Sequence, residues 1–283
     1  MNTIYKNQND KVILMLQYSA NRYYNRAERL ALCSWLVCIA NLFVKIPCVS
    51  SFLGVWSAVV PMAISVFFVP LLAEKTNKYT QIGAATRQLI DYKLFGFTQL
   101  LYYNGYTEEQ LKEYAAVEKN TNPKDYECQI NHSGTDEEHG VKDWYTVENT
   151  MQQEQAIREC QRQNKMFDNM LTKTLFVLVK FVLVVMISFI FVLFGNNTVN
   201  DTIVSLAIVT PLITKLSGSI RSYFDLREYN NKWKKMFDKP DISCEERQEC
   251  IDERRRMVFI VPRVLHSLKS KKLHNMVKDS MNV

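Results

Sequence analysis

An uninterrupted apolar stretch at residues 174–194 (TLFVLVKFVLVVMISFIFVLF) constrains this chain more than any other part of its sequence. Lys180 is the only charged residue among these 21. At about 1.5 Å of rise per residue, a helix of this length crosses the roughly 30 Å hydrocarbon layer of a lipid bilayer. We therefore expect residues 174–194 to form a membrane-spanning helix.

Three further apolar stretches have lengths that suit a membrane span: residues 30–46, 52–73 and 202–220. A short turn at residues 47–51 separates the first two, so they are expected to return through the bilayer as a helical hairpin. The last of the three follows shortly after residues 174–194 and completes a second hairpin. The sequence therefore predicts an all-α membrane protein with four transmembrane helices arranged as two hairpins.

The two hairpins divide the chain into five predicted segments. The three polar segments have net charges of +3, −4 and +5 in chain order, and they contain nearly all of the Lys and Arg residues. The positive-inside rule then makes the protein multi-pass, with both termini and the central segment in the cytoplasm. The segments are a cytoplasmic N-terminal helix (1–29), the first hairpin (30–73), a cytoplasmic helical domain inserted between the hairpins (74–173), the second hairpin (174–220) and a cytoplasmic basic helical tail (221–283).

Local signals place helices and a loop in the polar segments. Thr107 and Gln110 have the spacing of a capping box, as do Ser243 and Glu246, and each pair predicts the start of a helix. Residues 120–140 are polar and are predicted to form a loop.

Two helices are expected to run from the polar segments directly into the membrane. No Gly or Pro occurs between Asp10 and Pro47, so one helix is predicted from about Asp10 into the first span. Residues 147–194 also lack Gly and Pro, which favours one helix from the central segment into the third span. A helix break near residues 168–174 would contradict this second prediction.

The composition argues against catalysis. The eight glycines are dispersed, none builds a phosphate-binding loop or a dinucleotide fingerprint, and no HExxH or GxSxG motif occurs. We expect neither enzyme activity nor a cofactor. The seven cysteines form no CxxC pair, so neither a disulfide framework nor a zinc ribbon is indicated. Cys128, His132 and His139 could approach one another, but a solvated loop is favoured there over a metal site because the ligand spacing is atypical.

Small and polar residues recur at helical spacing within the predicted spans. They predict either close helix packing, which we favour, or a pore-lining face in an oligomer. Lys180 is expected to extend its ammonium group to the membrane interface, and the alternative is a place in a conducting path. The residues concerned are Ser34, Cys38 and Asn41 in the first span, Gly54, Ala58 and Ser65 in the second, Lys180 in the third and Thr214 in the fourth.

Basic and aromatic residues provide the plausible ligand chemistry of the polar segments. Arginine pairs bidentately with phosphate, and aromatic rings stack on bases, so these residues could hold a small nucleotide. For Trp144 and Tyr145 the alternative is packing at the start of a helix. For the arginines of the tail the alternative, which we favour, is a basic patch that faces lipid headgroups. The candidate ligand residues are Trp144, Tyr145, Arg158, Arg162, Arg254, Arg255 and Arg256.

The order of these features resembles the SMODS-associated four-transmembrane pore-forming effectors of bacteria. Local matches are YNRAERL at 24–30, LIDYKLFGF at 89–97 and VKDWY at 141–145, with Arg256, Pro262 and Arg263 in a similar order in the tail. The resemblance covers nearly the whole chain. Each motif is short, so the likeness rests on their combination with the two span pairs and the central segment.

This resemblance implies a role in antiphage defence, exerted at the bacterial inner membrane. In such systems a neighbouring nucleotidyltransferase makes a cyclic oligonucleotide on infection, and the effector responds by damaging the membrane. The implied partners are that cyclic oligonucleotide, the lipid bilayer and further copies of the chain, without a DNA or RNA polymer. The alternative is a constitutive membrane scaffold whose central segment and tail recruit a cytosolic partner, without pore activity.

Overall fold

The structure is a computed structural model that describes residues 2–44, 47–54, 56–134, 136, 140–194, 199–237, 239 and 241–257. Helices are the regular elements of these ranges, which confirms the all-α prediction. They are α1 Thr3–Asn7, α2 Lys11–Phe43, α3 Pro47–Leu53, α4 Trp56–Ala63, a π-helical turn Ile64–Phe68, α5 Val69–Phe95, α6 Glu108–Thr121, α7 Pro123–Asn131, α8 Gln153–Phe194, α9 Val199–Phe237 and α10 Cys244–Arg256.

The predicted continuous helices are confirmed. Asp10 caps α2 by accepting a hydrogen bond from the Val12 backbone N–H at 2.8 Å, and the helix then continues to Phe43. Helix α8 is unbroken from Gln153 to Phe194, so no interruption occurs at residues 168–174. Its start lies six residues later than the sequence analysis placed it, since 147–152 precede the helix.

Both predicted capping boxes are present. Thr107 accepts a hydrogen bond from the Gln110 backbone N–H, and the Gln110 side chain accepts one from the Thr107 backbone N–H. Ser243 and Glu246 form the same reciprocal pair at the start of α10. These local bonds satisfy backbone donors that the first helical turn would otherwise leave unpaired.

Two local predictions were wrong. The turn expected at residues 47–51 is helical, and the chain turns instead at Gly54, whose φ of +53° is a conformation that glycine adopts at little cost. The loop expected at residues 120–140 contains helix α7. Pro123 occupies the first position of α7, where its missing N–H costs nothing, and Tyr126 packs edge-on against Tyr18.

Helices α2 and α5 pack antiparallel and form the centre of the structure. Asn21 on α2 bonds to Arg87 on α5, whereas Tyr23, two residues later, contacts Tyr79, eight residues earlier. One apolar core is enclosed by the N-terminal half of α2 and the C-terminal half of α5, together with α1, α6, α7, α10 and the start of α8. We call this part of the structure the head. Its buried residues include Ile13, Leu16, Ile82, Leu89, Ile90, Leu94, Tyr103, Leu111, Tyr145 and Ile157.

Outside the head, the long helices expose large apolar side chains and form what we call the stem: α3, α4 and the head-distal ends of α2, α5, α8 and α9. Among the described residues, one helical stretch, Val59–Phe95, is long and apolar enough to cross a membrane, and 17% of its apolar window is buried. Phe52 and Phe67 are 88% and 68% exposed. Such a surface requires lipid or a partner around it, because soluble monomers rarely expose large apolar patches. The arrangement of four spans as two hairpins stays a prediction.

Candidate ligand-binding site

Arg87 is a buried charged side chain that forms no ion pair with a described carboxylate. It lies on α5, is 8% exposed, and donates a hydrogen bond from Nη2 to Asn21 Oδ1 at 2.9 Å. Its guanidinium carbon lies 3.8 Å from the centroid of the Trp144 ring, and Nη1 has no hydrogen-bond partner among the described residues. Burial lowers the pKa of Arg87 to about 10; repulsion from Arg255 adds to this effect, and attraction from Asp91 opposes it.

Asp91, one turn further along α5, joins several elements of the head. Its Oδ1 accepts a hydrogen bond from the Tyr145 hydroxyl at 2.8 Å. Its Oδ2 forms an ion pair with Arg255 of α10 at 2.8 Å and accepts a hydrogen bond from Gln248 Nε2 at 3.1 Å. Asn164 of α8 donates to the Tyr145 hydroxyl at 3.1 Å. Helices α5, α8 and α10 and the segment before α8 therefore meet around one buried carboxylate.

A second buried carboxylate, Asp252, extends the network along α10. It accepts hydrogen bonds from Gln88 Nε2 at 2.9 Å and from Gln248 Nε2 at 3.1 Å, and its Oδ1 lies 3.6 Å from Arg255 Nη1. Burial raises the pKa of Asp252 to about 6; Arg255 opposes this rise and Asp91 adds to it. The polar amides thus hold Asp252 in place without adding charge.

Tyr24 brings α2 into the same region. A Cβ atom at Gly83 would lie 3.0 Å from the Tyr24 ring, so a larger residue there would require the ring to shift by a few tenths of an ångström. Tyr24 lies within electrostatic range of Arg87 and Arg254, and Arg254 Nη2 forms an ion pair with Asp168 of α8 at 3.3 Å. We call this group the arginine cluster; it comprises Tyr24, Arg87, Gln88, Asp91, Trp144, Tyr145, Asp168, Gln248, Asp252, Arg254 and Arg255.

Part of the candidate ligand set from the sequence lies in this cluster: Trp144, Tyr145, Arg254 and Arg255. Tyr145 is buried in the head core and Trp144 is half-buried beside it. Helix α8 begins only at Gln153, so the two rings do not pack at a helix start. Arg254 and Arg255 are directed into the protein, at 10% and 15% side-chain exposure, which does not fit the lipid-facing patch that the sequence analysis favoured for them.

The other three candidates lie outside the cluster. Arg158 bonds to Glu154 Oε1 at 2.8 Å, and Arg162 forms two hydrogen bonds with Glu159, in each case on its own helix. Arg256 is exposed, and its backbone carbonyl accepts a hydrogen bond from Gln81 Nε2 at 3.2 Å. A ligand role for these three residues stays a prediction that the geometry does little to support.

Sequence reasoning missed the central members of the cluster, Arg87 and Asp91. A usable signal was present, because the two are four residues apart and therefore share one face of a helix. Gly83, Ala84 and Ala85 precede them, and a run of small residues permits the close helix contact that buries this face.

The profile of the SMODS-associating 4TM effector domain matches residues 2–256. The chain belongs to the SMODS-associating 4TM effector family. No curated protein and no solved structure matches it. Membership implies a membrane effector of a CBASS-type antiphage system, and this effector domain has no known catalytic activity. The arginine cluster of the effector brings together guanidinium groups, hydroxyls and a half-buried indole ring, which are the groups that pair with phosphates and stack on bases in proteins that bind nucleotides.

Polar side chains on α2 form a second group, in the stem of the effector. Ser34, Cys38 and Asn41 are all buried. Lys215 of α9 donates a hydrogen bond to Ser34 Oγ at 2.5 Å, and Cys38 lies in the apolar contact that contains Leu212. Their burial between two helices fits the helix-packing alternative. A pore-lining role for them stays a prediction.

The remaining candidate residues of the stem are exposed or half-buried, except for one whose side chain the structure does not describe. Gly54 forms the exposed turn after α3, and Thr214 is exposed on α9. Ser65 is half-buried and donates to the Pro61 carbonyl at 2.6 Å, while the side chain of Ala58 lies outside the described residues. The Lys180 ammonium lies 4.0 Å from the Phe176 ring, one turn nearer the head, which fits the expectation that it extends to the membrane interface.

Cys128 of α7 lies close to His132, the residue that follows this helix. Cys128 Sγ lies 3.9 Å from His132 Nδ1, and His132 Nδ1 lies 2.8 Å from the Cys128 carbonyl oxygen. His139 lies outside the described residues. Within the part of the chain that the structure describes, no group of three or more His, Cys, Asp or Glu side chains could hold a metal ion.

Proposed function

We propose that this effector binds a cyclic oligonucleotide at the arginine cluster and then permeabilises the bacterial inner membrane, which kills or arrests the infected cell. The observation that supports this proposal is the burial of Arg87, a cation that forms no ion pair with a described carboxylate. A buried cation without an acidic partner costs several kcal/mol, so natural proteins seldom retain one without a use for it.

A phosphate group would supply what Arg87 lacks. An oxygen placed at Nη1 would form a charge-assisted hydrogen bond, which is about twice as strong as a neutral one. The negative charge would also relieve the repulsion between Arg87 and Arg255, which contributes to the lowered pKa of Arg87. Asp91 and Asp252 need not repel the phosphate strongly, because Arg255 already lies between them.

Trp144 would add a contact for a base. The half-buried ring stacks on Arg87 with one face, and stacking of a nucleobase on an aromatic side chain is worth about 1–3 kcal/mol. A ligand with both phosphates and bases would therefore use the Arg87 guanidinium and the indole ring together. This combination favours a nucleotide over inorganic phosphate.

Three continuous helices would carry the signal to the membrane. Helices α2, α5 and α8 each contribute to the arginine cluster and each extend into the stem without a break in the head. We propose that the head faces the cytoplasm, that the permeabilising state is a homo-oligomer, and that the ligand binds this state more tightly than the resting one. A ligand with equal affinity for both states would shift nothing.

Co-expression with the signal synthase tests this proposal in cells. Bacteria that produce the effector together with an active cyclic-oligonucleotide synthase should stop growing and take up a membrane-impermeant dye. Cells with an inactive synthase should do neither. Normal growth and dye exclusion in the presence of the active synthase would contradict the proposal and would favour the constitutive scaffold.

A further inference from the structure

A cleft of about 670 Å³ lies between α5, α9 and α10, and Asp252 contributes to its lining. Tyr92 of α5, Leu100 of the following loop and Met236 of α9 supply apolar surface to its lining. Leu101, next to Leu100, is 79% exposed, so apolar surface continues beyond the rim. The cleft is large enough for several side chains of a peptide segment.

The charge of this cleft is negative. Two cations contribute to the lining, and one of them, Lys232, is already paired with Glu253 at 3.3 Å. Glu249 has no hydrogen bond or ion pair within the described part of the chain. An anionic nucleotide would be repelled here, which separates this cleft from the arginine cluster. The charged residues of the lining are Glu246, Glu249, Asp252 and Glu253, against Lys232 and Arg256.

We propose that the basic end of this chain, residues 258–283, occupies the cleft. Its charge is complementary, because it contains Arg263, Lys269, Lys271, Lys272 and Lys278 against one acidic residue, Asp279. It begins with the apolar run VFIV, which suits the apolar lining.

The position of residues 258–283 in the chain also supports their placement in the cleft. Arg256 lines the cleft, and residue 258 follows it by two positions. Ten extended residues reach about 35 Å, so a short part of the segment is long enough to lie across the cleft. The family profile ends at residue 256, two positions before this segment begins.

Occupancy of the cleft would restrain α10 against α5. Gln88 and Asp252 line the cleft, bond to each other at 2.9 Å and also belong to the arginine cluster. The segment would contact the carboxylates of α10 and the apolar surface of α5 and α9. It would therefore hold α10, which carries Arg254 and Arg255, in place against these helices. The contact itself does not depend on nucleotide binding.

Photo-cross-linking of the full chain tests this contact in the absence of nucleotide. A benzophenone amino acid in place of Leu265 should react with the cleft lining, and mass spectrometry should place the cross-link on peptides that contain Met236 or Cys250. The double variant Glu249→Lys/Glu253→Lys should reduce this product at least about fivefold, since two favourable charge contacts become repulsive.

Matched variants separate the contact from a general charge effect. Glu228→Lys/Glu245→Lys makes the same charge change outside the cleft and should leave the cross-link unchanged. Adding Lys271→Glu/Lys272→Glu to the cleft variant should restore the product. Cross-links to lipid, to another face of the protein, or at an unchanged level in the cleft variant would each overturn the proposal.

Discussion

The guanidinium carbon of Arg87 lies 3.8 Å from the centroid of the Trp144 ring, at a depth where Arg87 is 8% exposed. A ring and the Asn21 amide thus hold a buried cation in a place where a carboxylate would stabilise it more. The arrangement lowers the folding free energy that this position could contribute, and it leaves the buried guanidinium nitrogen Nη1 without a hydrogen-bond partner among the described residues. We interpret this as the mark of a binding site.

Removing this charge should not destabilise the protein. Arg87→Met retains much of the apolar contact with Trp144 and eliminates the unpaired buried cation, so the free energy of unfolding should stay unchanged or rise by up to about 2 kcal/mol. Thermal unfolding of the purified protein measures it. Arg158→Met, at a half-exposed arginine paired with Glu154, serves as the control and should change stability by less than about 1 kcal/mol. A loss of several kcal/mol in Arg87→Met would show that Arg87 is a structural residue.

Replacing the indole ring should weaken ligand binding. Trp144→Leu removes base stacking worth about 1–3 kcal/mol, so affinity for the activating cyclic oligonucleotide should fall by roughly 5- to 150-fold. Trp144→Phe keeps a smaller ring and should lose less. Isothermal titration calorimetry gives both values, and equal affinity of Trp144→Leu and wild type would exclude stacking on this ring.

Breaking the ion pair at the centre of the cluster should destabilise the head. Asp91→Asn keeps an acceptor for Tyr145 but removes the charge that pairs with Arg255, and loss of one partner of a buried pair costs about 3–5 kcal/mol. Denaturant unfolding measures this loss. Glu154→Gln breaks an exposed pair and should cost less than about 1 kcal/mol. A similarly small effect in Asp91→Asn would contradict the role we assign to Asp91.

Asp252 should make stability depend on pH. Burial raises its pKa to about 6, above the ordinary value of 3.8, so the folded protein binds this proton more tightly than the unfolded chain does. The stabilising contribution is full below about pH 4 and is lost as the pH rises through about 6. Asp252→Asn mimics the protonated form.

The variant should therefore exceed wild type in the free energy of unfolding by about 3 kcal/mol near pH 7 and nearly match it near pH 4. Unfolding at both values measures the difference. Glu253→Gln, the exposed neighbour, should show no such dependence on pH. A constant difference between Asp252→Asn and wild type across the range would refute the linkage.

Much of the helical architecture was predictable because its signals are local. The capping boxes at Thr107 and Ser243 act through bonds within one helical turn, and the continuity of α2 and α8 follows from the absence of Gly and Pro. Helix α7 escaped prediction because its composition is polar. What stabilises it is a tertiary contact, the packing of Tyr126 on Tyr18, which no local pattern shows.

The candidate site was predictable in part. Trp144 and Tyr145 stood out as aromatic residues beside basic sequence, and the arginines at 254 and 255 stood out as a charge run. Arg87 did not, because its significance lies in the absence of an acidic partner within the described structure. That property depends on how α2, α5 and the segment before α8 pack together, and a sequence pattern does not reveal it.

The most direct measurement is dye release from liposomes that contain the purified full-length effector, with wild type and Arg87→Met compared side by side. Liposomes with wild type should release the dye on addition of one member of a panel of cyclic di- and trinucleotides and should retain the dye without nucleotide. Arg87→Met should fold and insert equally well but release no dye with that nucleotide. Nucleotide-dependent release from Arg87→Met at the wild-type level, or no release from wild type with any nucleotide in the panel, would contradict the account.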